Sequence, residues 1–131
     1  MSTGTSMQSD AAAAIRAADQ LFARLADAGD AAGIAEQYYT ADAVVLPPNS
    51  PPVKGTAAIA AFWSGFIAAM KPQECKLDTT SVEASGDLAS GVGSYSFMAG
   101  GALQTGKYLV SFRRQPDGSY KCAADAFGPN A

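Results

Sequence analysis

The 131-residue chain contains no histidine. Its absence removes the commonest general acid–base side chain and the commonest transition-metal ligand together. Cysteine is nearly absent too. Cys75 and Cys122 stand far apart and form no CxxC pair, which excludes a structural zinc site and leaves two free thiols as the simplest reading. Positive charge is sparse: the net charge is −3 and the longest basic run is Arg113-Arg114. Nothing supplies the phosphate-neutralising stripe that nucleic-acid binding requires. The longest apolar stretches, Ala11–Ala14 and Ala57–Phe62, are far too short to span a bilayer. Residues 1–10 have neither the basic start nor the apolar centre of a signal peptide. There is no glycine-rich phosphate loop, no Ser/His/Asp set and no metal-binding cluster. The expectation is a cytoplasmic protein with no metal, no cofactor, and neither nucleic acid nor membrane as partner.

What remains is a chain that can bury a core. It is 48% hydrophobic and 16% charged, and its length fits one domain. Residues 1–9 read as a flexible tail and 10–131 as a single domain. Asp10 suits the N-cap of a helix running to about Ala28, where Gly29 stops it. Ile15, Ala18, Phe22 and Leu25 recur at helical spacing along it, and Asp19 lies on the same stripe. Asp30 suits the cap of a short second helix, Ala31 to Tyr39, presenting Ile34 and Tyr38. Ala43–Leu46 reads as a strand cut by Pro47-Pro48, and the proline-rich segment to Pro52 as a stiff surface loop. Thr56 then caps a third helix whose stripe is Ile59, Phe62, Trp63, Phe66, Ile67 and Met70, ended by Lys71-Pro72.

After Pro72 the pattern changes to strands and turns. Glu74–Glu83, Leu88–Met98, Thr105–Arg114 and Ser119–Phe127 are separated by Ser85-Gly86-Asp87, Gly100-Gly101 and Gln115-Pro116-Asp117-Gly118, all with turn chemistry. Short turns between successive strands predict an antiparallel meander, and helices followed by sheet predict an α+β domain. Alternation puts Gly91, Gly93, Tyr95 and Phe97 on one face, with Tyr108, Val110 and Phe112 and with Ala123, Asp125 and Phe127. Cys122, Ala124 and Ala126 fall on the opposite face. The aromatic faces must meet the helix stripes, and Gly91 and Gly93 suit a strongly curved strand. The expected architecture is three helices in the N-terminal half, packed on a strongly curved, mostly antiparallel sheet that makes a cone-shaped barrel.

In this order and spacing, Ala28-Gly29-Asp30, Tyr39-Thr40-Ala41-Asp42-Ala43, Gly55-Thr56-Ala57-Ala58-Ile59 and Phe62-Trp63 resemble the ketosteroid-isomerase and SnoaL-like branch of the nuclear-transport-factor-2-like superfamily. Gly106-Lys107-Tyr108 and Phe112 through Lys121 look most like a large, mostly uncharacterised bacterial family within it. The resemblance covers about residues 11 to 128. It implies a cone with a pocket at its open end and a homodimer through the outer sheet face, to which the Ser- and Ala-rich outer positions are suited. It also implies positions for steroid-isomerase chemistry, which needs a carboxylate base, a tyrosine and a protonated aspartic acid. These fall at Pro47, Phe22 and Val110, none of which can do the work.

The residues that could carry other chemistry are few. Asp125 is expected on the concave face among aromatics, where burial raises a carboxylate's pKa toward neutrality. Resemblance to SnoaL-like cyclases implies an acid–base role for it. The open alternative is a structural hydrogen bond or ion pair, with Arg16 or Tyr38 as partner. Asp19 is either a second carboxylate facing the same cavity or a solvated helix edge beside Arg16. Tyr38, Tyr95 and Tyr108 are candidates to orient a ligand. Phe22, Trp63, Phe66 and Phe97 are candidate pocket walls, as are Val110, Phe112 and Phe127, and all of these could equally be core. Two functions stay open. One is a binder of a small, mostly apolar molecule, acting as a SnoaL-like cofactor-independent isomerase or cyclase. The other is a non-catalytic dimerisation or protein-interaction domain with a self-filled pocket.

Overall fold

Alanine-rich sequence without proline builds the first element. In the computed structural model, which describes residues 3–131 and side chains from Ser9 onward, helix α1 spans Thr3–Asp27. It therefore begins well before Asp10, which lies within the helix and does not cap it. Residues 3–9, read as tail, hold no proline to stop a helix propagating backward from Ala11–Ala14; Met1 and Ser2 lie outside the described residues. Gly29 ends α1 with φ 72°, a left-handed conformation that suits glycine, and Asp30 N–H returns to Leu25 C=O.

Asp30 then caps the next turn: its Oδ1 accepts from Gly33 N–H at 2.8 Å. This second helix differs from expectation. A short α2, Ala31–Gly33, passes into a π-helical turn, Ile34–Tyr38, and the chain is already extended at Tyr39. Strand β1 accordingly covers Tyr39–Leu46, longer at its start than Ala43–Leu46. The proline-rich segment leads into a two-residue strand β2, Val53–Lys54, paired on the β1 edge. Helix α3 runs Thr56–Met70, but its N-cap is Gly55, with no side-chain cap from Thr56. Lys71 closes it in a left-handed conformation, its N–H on Ile67 C=O, ahead of Pro72.

The remaining strands are β3 (Gln73–Ser85), β4 (Leu88–Ala99), β5 (Ala102–Arg114) and β6 (Tyr120–Pro129). They form the expected meander within one six-stranded sheet of order β2-β1-β6-β5-β4-β3, antiparallel except where β1 lies parallel to β6. The sheet is curved and open: β2 and β3 are its two outermost strands and do not pair with each other, so the barrel does not close.

Inserted residues decide which side chains face inward. Phe112 pairs with Cys122 but Ser111 with Ala124, so Ala123 is an extra residue in β6. Thr79 pairs with Gly93 but Ser81 with Val92, making Thr80 extra in β3. The bulge at Ala123 flips the alternation. Tyr120 and Cys122 face inward before it, and Asp125 faces inward after it. Cys122, assigned to the outer face by strict alternation, is thus fully buried at 0% exposure.

Glycine and tyrosine interlock across β4 and β5. Gly93 pairs with Tyr108 and Tyr95 with Gly106. A Cβ on Gly93 would meet Tyr108 Oη at 2.6 Å as well as the Asp78 carbonyl, and one on Gly106 would run into the Tyr95 ring. The hydroxyl end of each ring fills the space over the opposite glycine. Gly93→Ala should therefore cost about 1–3 kcal/mol through overpacking, lowering the melting temperature by several degrees. Gly65, in α3 with nothing near its missing Cβ, should give the opposite sign: Gly65→Ala should gain about 0.5–1 kcal/mol. Thermal melts of the two variants check both directions.

Candidate functional site: an apolar cavity with one buried carboxylate

The concave face of the sheet is only partly covered by the helices, which leaves a cavity of about 300 Å³. Its walls come from every layer. α1 gives Phe22, the π turn gives Tyr38, and α3 gives Trp63, Phe66 and Met70. The sheet adds Tyr95, Phe97, Tyr108, Val110 and Phe127. Pro48, Pro72, Gln104 and Pro129 also line it, contributed by element ends and the loop after β1. The rings brace one another. Trp63 stacks on Phe127 at 5.6 Å and meets Phe22 edge-on at 5.2 Å, while Tyr95 stacks on Phe97 at 6.1 Å.

Asp125 lies in this wall, 7% exposed. Its row across the sheet is Gly91–Val110–Asp125–Val45, so its strand neighbours offer nothing polar. Loss of hydration pushes its carboxyl up to about 6, against a smaller opposing effect from its one side-chain hydrogen bond. That bond comes from Tyr39, whose hydroxyl donates to Oδ2 at 2.6 Å. The partner is neither Arg16 nor Tyr38. Tyr39 is itself 1% exposed and packs edge-on against Tyr38 at 4.9 Å. Burial raises the phenols of Tyr38, Tyr39 and Tyr108, and the Cys122 thiol, so all stay protonated and neutral beside the carboxylate.

Asp19 is not a solvated edge: it is 3% exposed. It faces β3, where its Oδ2 accepts from Thr79 N–H at 3.2 Å, and Oδ1 is buried without a partner. Burial is the main cause raising its carboxyl, with the Thr79 hydrogen bonds opposing and Arg16 a minor influence. Thr79 Oγ1 in turn shares a 2.8 Å hydrogen bond with Tyr108 Oη on the cavity wall. Asp19 is not among the residues lining the cavity, and neither is Phe112, which is fully buried behind Tyr38 at 6.2 Å. The other aromatic candidates and Val110 do line it.

Sequence reasoning missed Tyr39. The signal was there in the adjacent pair Tyr38-Tyr39, but placing Tyr39 at a helix end hid its role as the first strand residue beside β6. Phe22 and Val110, the positions onto which the resemblance maps the steroid-isomerase donors, line the cavity and offer no hydrogen to donate. Asp42 lies outside, bridging to Arg113 at 3.1 Å on the surface.

A three-helix layer on a curved, open, mostly antiparallel sheet is the nuclear-transport-factor-2-like, or cystatin-like, α+β fold. The model of the SnoaL-like domain matches residues 4–121, and the chain belongs to that family. Solved structures agree in fold. An NTF2-like protein with a cystatin-like fold from Novosphingobium aromaticivorans is 22% identical over 92% of this chain and 82% of its own, with a TM-score of 0.74. A ketosteroid-isomerase-like protein from Erwinia carotovora is 18% identical, with coverage of 91% and 95% and a TM-score of 0.73. A putative dehydratase of the NTF2-like family from Streptomyces avermitilis is 17% identical, with coverage of 93% and 97% and a TM-score of 0.76. No curated protein matches the chain.

The raised carboxyl of Asp125 has a defined effect on stability. Below about pH 4 the group is protonated in both folded and unfolded chains. Between about pH 4 and 6 the unfolded chain releases the proton while the folded chain keeps it. Stability falls as pH rises through that window, by about 3 kcal/mol in all, and then levels off. Asp125→Asn should remove this fall. Melting temperatures of wild type and variant, compared between pH 4 and 7.5, should diverge in favour of the variant as pH rises; parallel curves would refute the assignment.

Proposed function

We infer that the cavity binds a small, mostly apolar molecule and that Asp125 exchanges a proton with it, as in a cofactor-independent isomerase or cyclase of the SnoaL-like kind. The observation that carries this reading is Asp125 itself: a carboxyl near 6, in the wall of an aromatic cavity. At that value it accepts and returns a proton near neutral pH with little cost either way. Tyr39 occupies Oδ2, leaving Oδ1 as the oxygen to meet a ligand. The Streptomyces structure described as a putative dehydratase is in keeping with proton-transfer chemistry on this fold. A self-filled, non-catalytic domain is disfavoured by the volume that the side chains leave unfilled.

A thermal-shift screen against steroids, polyketide-like aromatics, terpenoids and fatty acids tests the binding half. A ligand at about a hundred times its dissociation constant should add about 2.7 kcal/mol of stability, or several degrees. Asp125→Asn should keep the binding of a neutral apolar ligand while abolishing any turnover found for it. Undiminished turnover in that variant would remove the catalytic role.

The outer sheet face supports a homodimer. Val92, Leu109, Ala126 and Leu46 are successive partners across β4, β5, β6 and β1, and they form an apolar row on the convex side. Leu109 is 56% exposed, and its neighbours in the row are mostly open as well. The flanking positions Ser90, Ser94, Ser111 and Ala124 are small and uncharged, with Lys107 the charged residue beside Leu109. Light scattering at micromolar concentration should give twice the 13.3 kDa chain mass for wild type and the single mass for Leu109→Lys. A monomeric wild type would overturn the dimer.

A further inference from the structure

Among the described residues, the cavity lining holds one charged side chain, Asp125, and no lysine or arginine. The groups facing Asp125 are also without positive charge. Tyr39 on β1, Tyr38 on the π turn, Cys122 on β6 and Tyr108 on β5 are all held neutral by burial. Asp19 on α1 is a second acid, and Arg16, the cation of that helix, acts on Asp19 and not on Asp125. A buried carboxylate with one neutral hydrogen-bond donor and no counter-ion is an uncompensated charge, which folded proteins rarely keep without use.

The aromatic ring faces of the wall have the same electrical preference. Trp63, Phe66, Tyr95, Phe97 and Phe127 form a connected set of rings, with neighbouring centroids 5.4 to 6.2 Å apart. Ring faces carry negative charge density, so they attract cations and repel anions. We propose that the cavity selects an apolar amine, its hydrocarbon body among these rings and its protonated nitrogen against Oδ1 of Asp125. The proposal rests on the reading of the cavity as a ligand site and specifies the ligand's polar group. An anionic ligand of the same shape meets a like charge in a poorly hydrated site, and a neutral one leaves the carboxylate without a counter-charge.

Ionisation of Asp125 is then required for tight binding, while an alkylamine stays protonated throughout. With its carboxyl near 6, Asp125 is almost fully ionised at pH 8 and about one part in eleven ionised at pH 5.

The test uses matched triads on benzyl, naphthylmethyl and adamantylmethyl bodies, each as the amine, the alcohol and the carboxylate. Binding of each to the full chain is measured by calorimetry at pH 8 and pH 5. The amine of the best-fitting body should bind at least about tenfold more tightly than its alcohol at pH 8, with the carboxylate weakest. That advantage should fall about tenfold at pH 5. Asp125→Asn should bind amine and alcohol alike; if that variant does not fold, the wild-type pH comparison decides. An alcohol that equals or beats its amine at pH 8, or an amine advantage unchanged at pH 5, overturns the proposal and leaves the cavity a ligand site. If no member of any triad binds, the ligand-site reading falls, and this proposal with it.

Discussion

One alanine inserted in β6 sets the interior of this domain. Without the bulge at Ala123, an inward Cys122 would force Asp125 to point outward, since the two are three residues apart. With it, Tyr120 and Cys122 are buried in the core and Asp125, on the same side, enters the wall of the cavity. The adjoining strand is irregular at the same level: β1 leaves regular pairing after Tyr39 and resumes it at Val44. That break brings the Tyr39 hydroxyl to Oδ2 of Asp125. A local register shift thus couples the shape of the sheet to the placement of the Tyr39–Asp125 pair.

The electrostatics follow from that placement. Among the described residues, two carboxyls, Asp125 and Asp19, are taken out of water without a buried basic partner. One stands on the wall and the other behind it, linked through Thr79 to the Tyr108 hydroxyl. Polar groups that a fold tolerates at a stability cost tend to mark sites of use. The exposed acids behave differently. Asp42 and Asp117 are held below the usual carboxylate range by local hydrogen bonds, from Thr40 and Ser119 respectively, and act as surface braces.

Much of this was legible in residue order. The meander was visible because each of its turns has glycine or proline chemistry. The aromatic period of α3 marked its buried face, and the placement of Asp125 followed from parity with Phe127. What was hidden has a common cause: parity and period carry information only while the count is unbroken. Ala123 and Thr80 break it with small or ordinary residues, so Cys122 was assigned to the wrong face. The π turn adds to the helical count in the same way and hid the start of β1 at Tyr39. The beginning of α1 was obscured differently, since Ser and Thr are only mildly unfavourable within a helix and Asp10 suits a cap equally well. Asp19 looked like a helix edge because burial there depends on β3, sixty residues later in the chain.

The interlock of Tyr95 with Gly106 and Tyr108 with Gly93 also bears on how such a cavity can change over generations. Each large residue occupies the room that its small partner leaves, so neither can be replaced freely while the other stays. Enlarging a glycine meets a ring, and shrinking a tyrosine opens a hole. Inherited variation at these four positions should therefore come in pairs, with the tyrosine moving from one strand to the other or both sites settling at intermediate size. Each such exchange would reshape the cavity in a discrete step, leaving the surrounding sheet and its history of pairing intact.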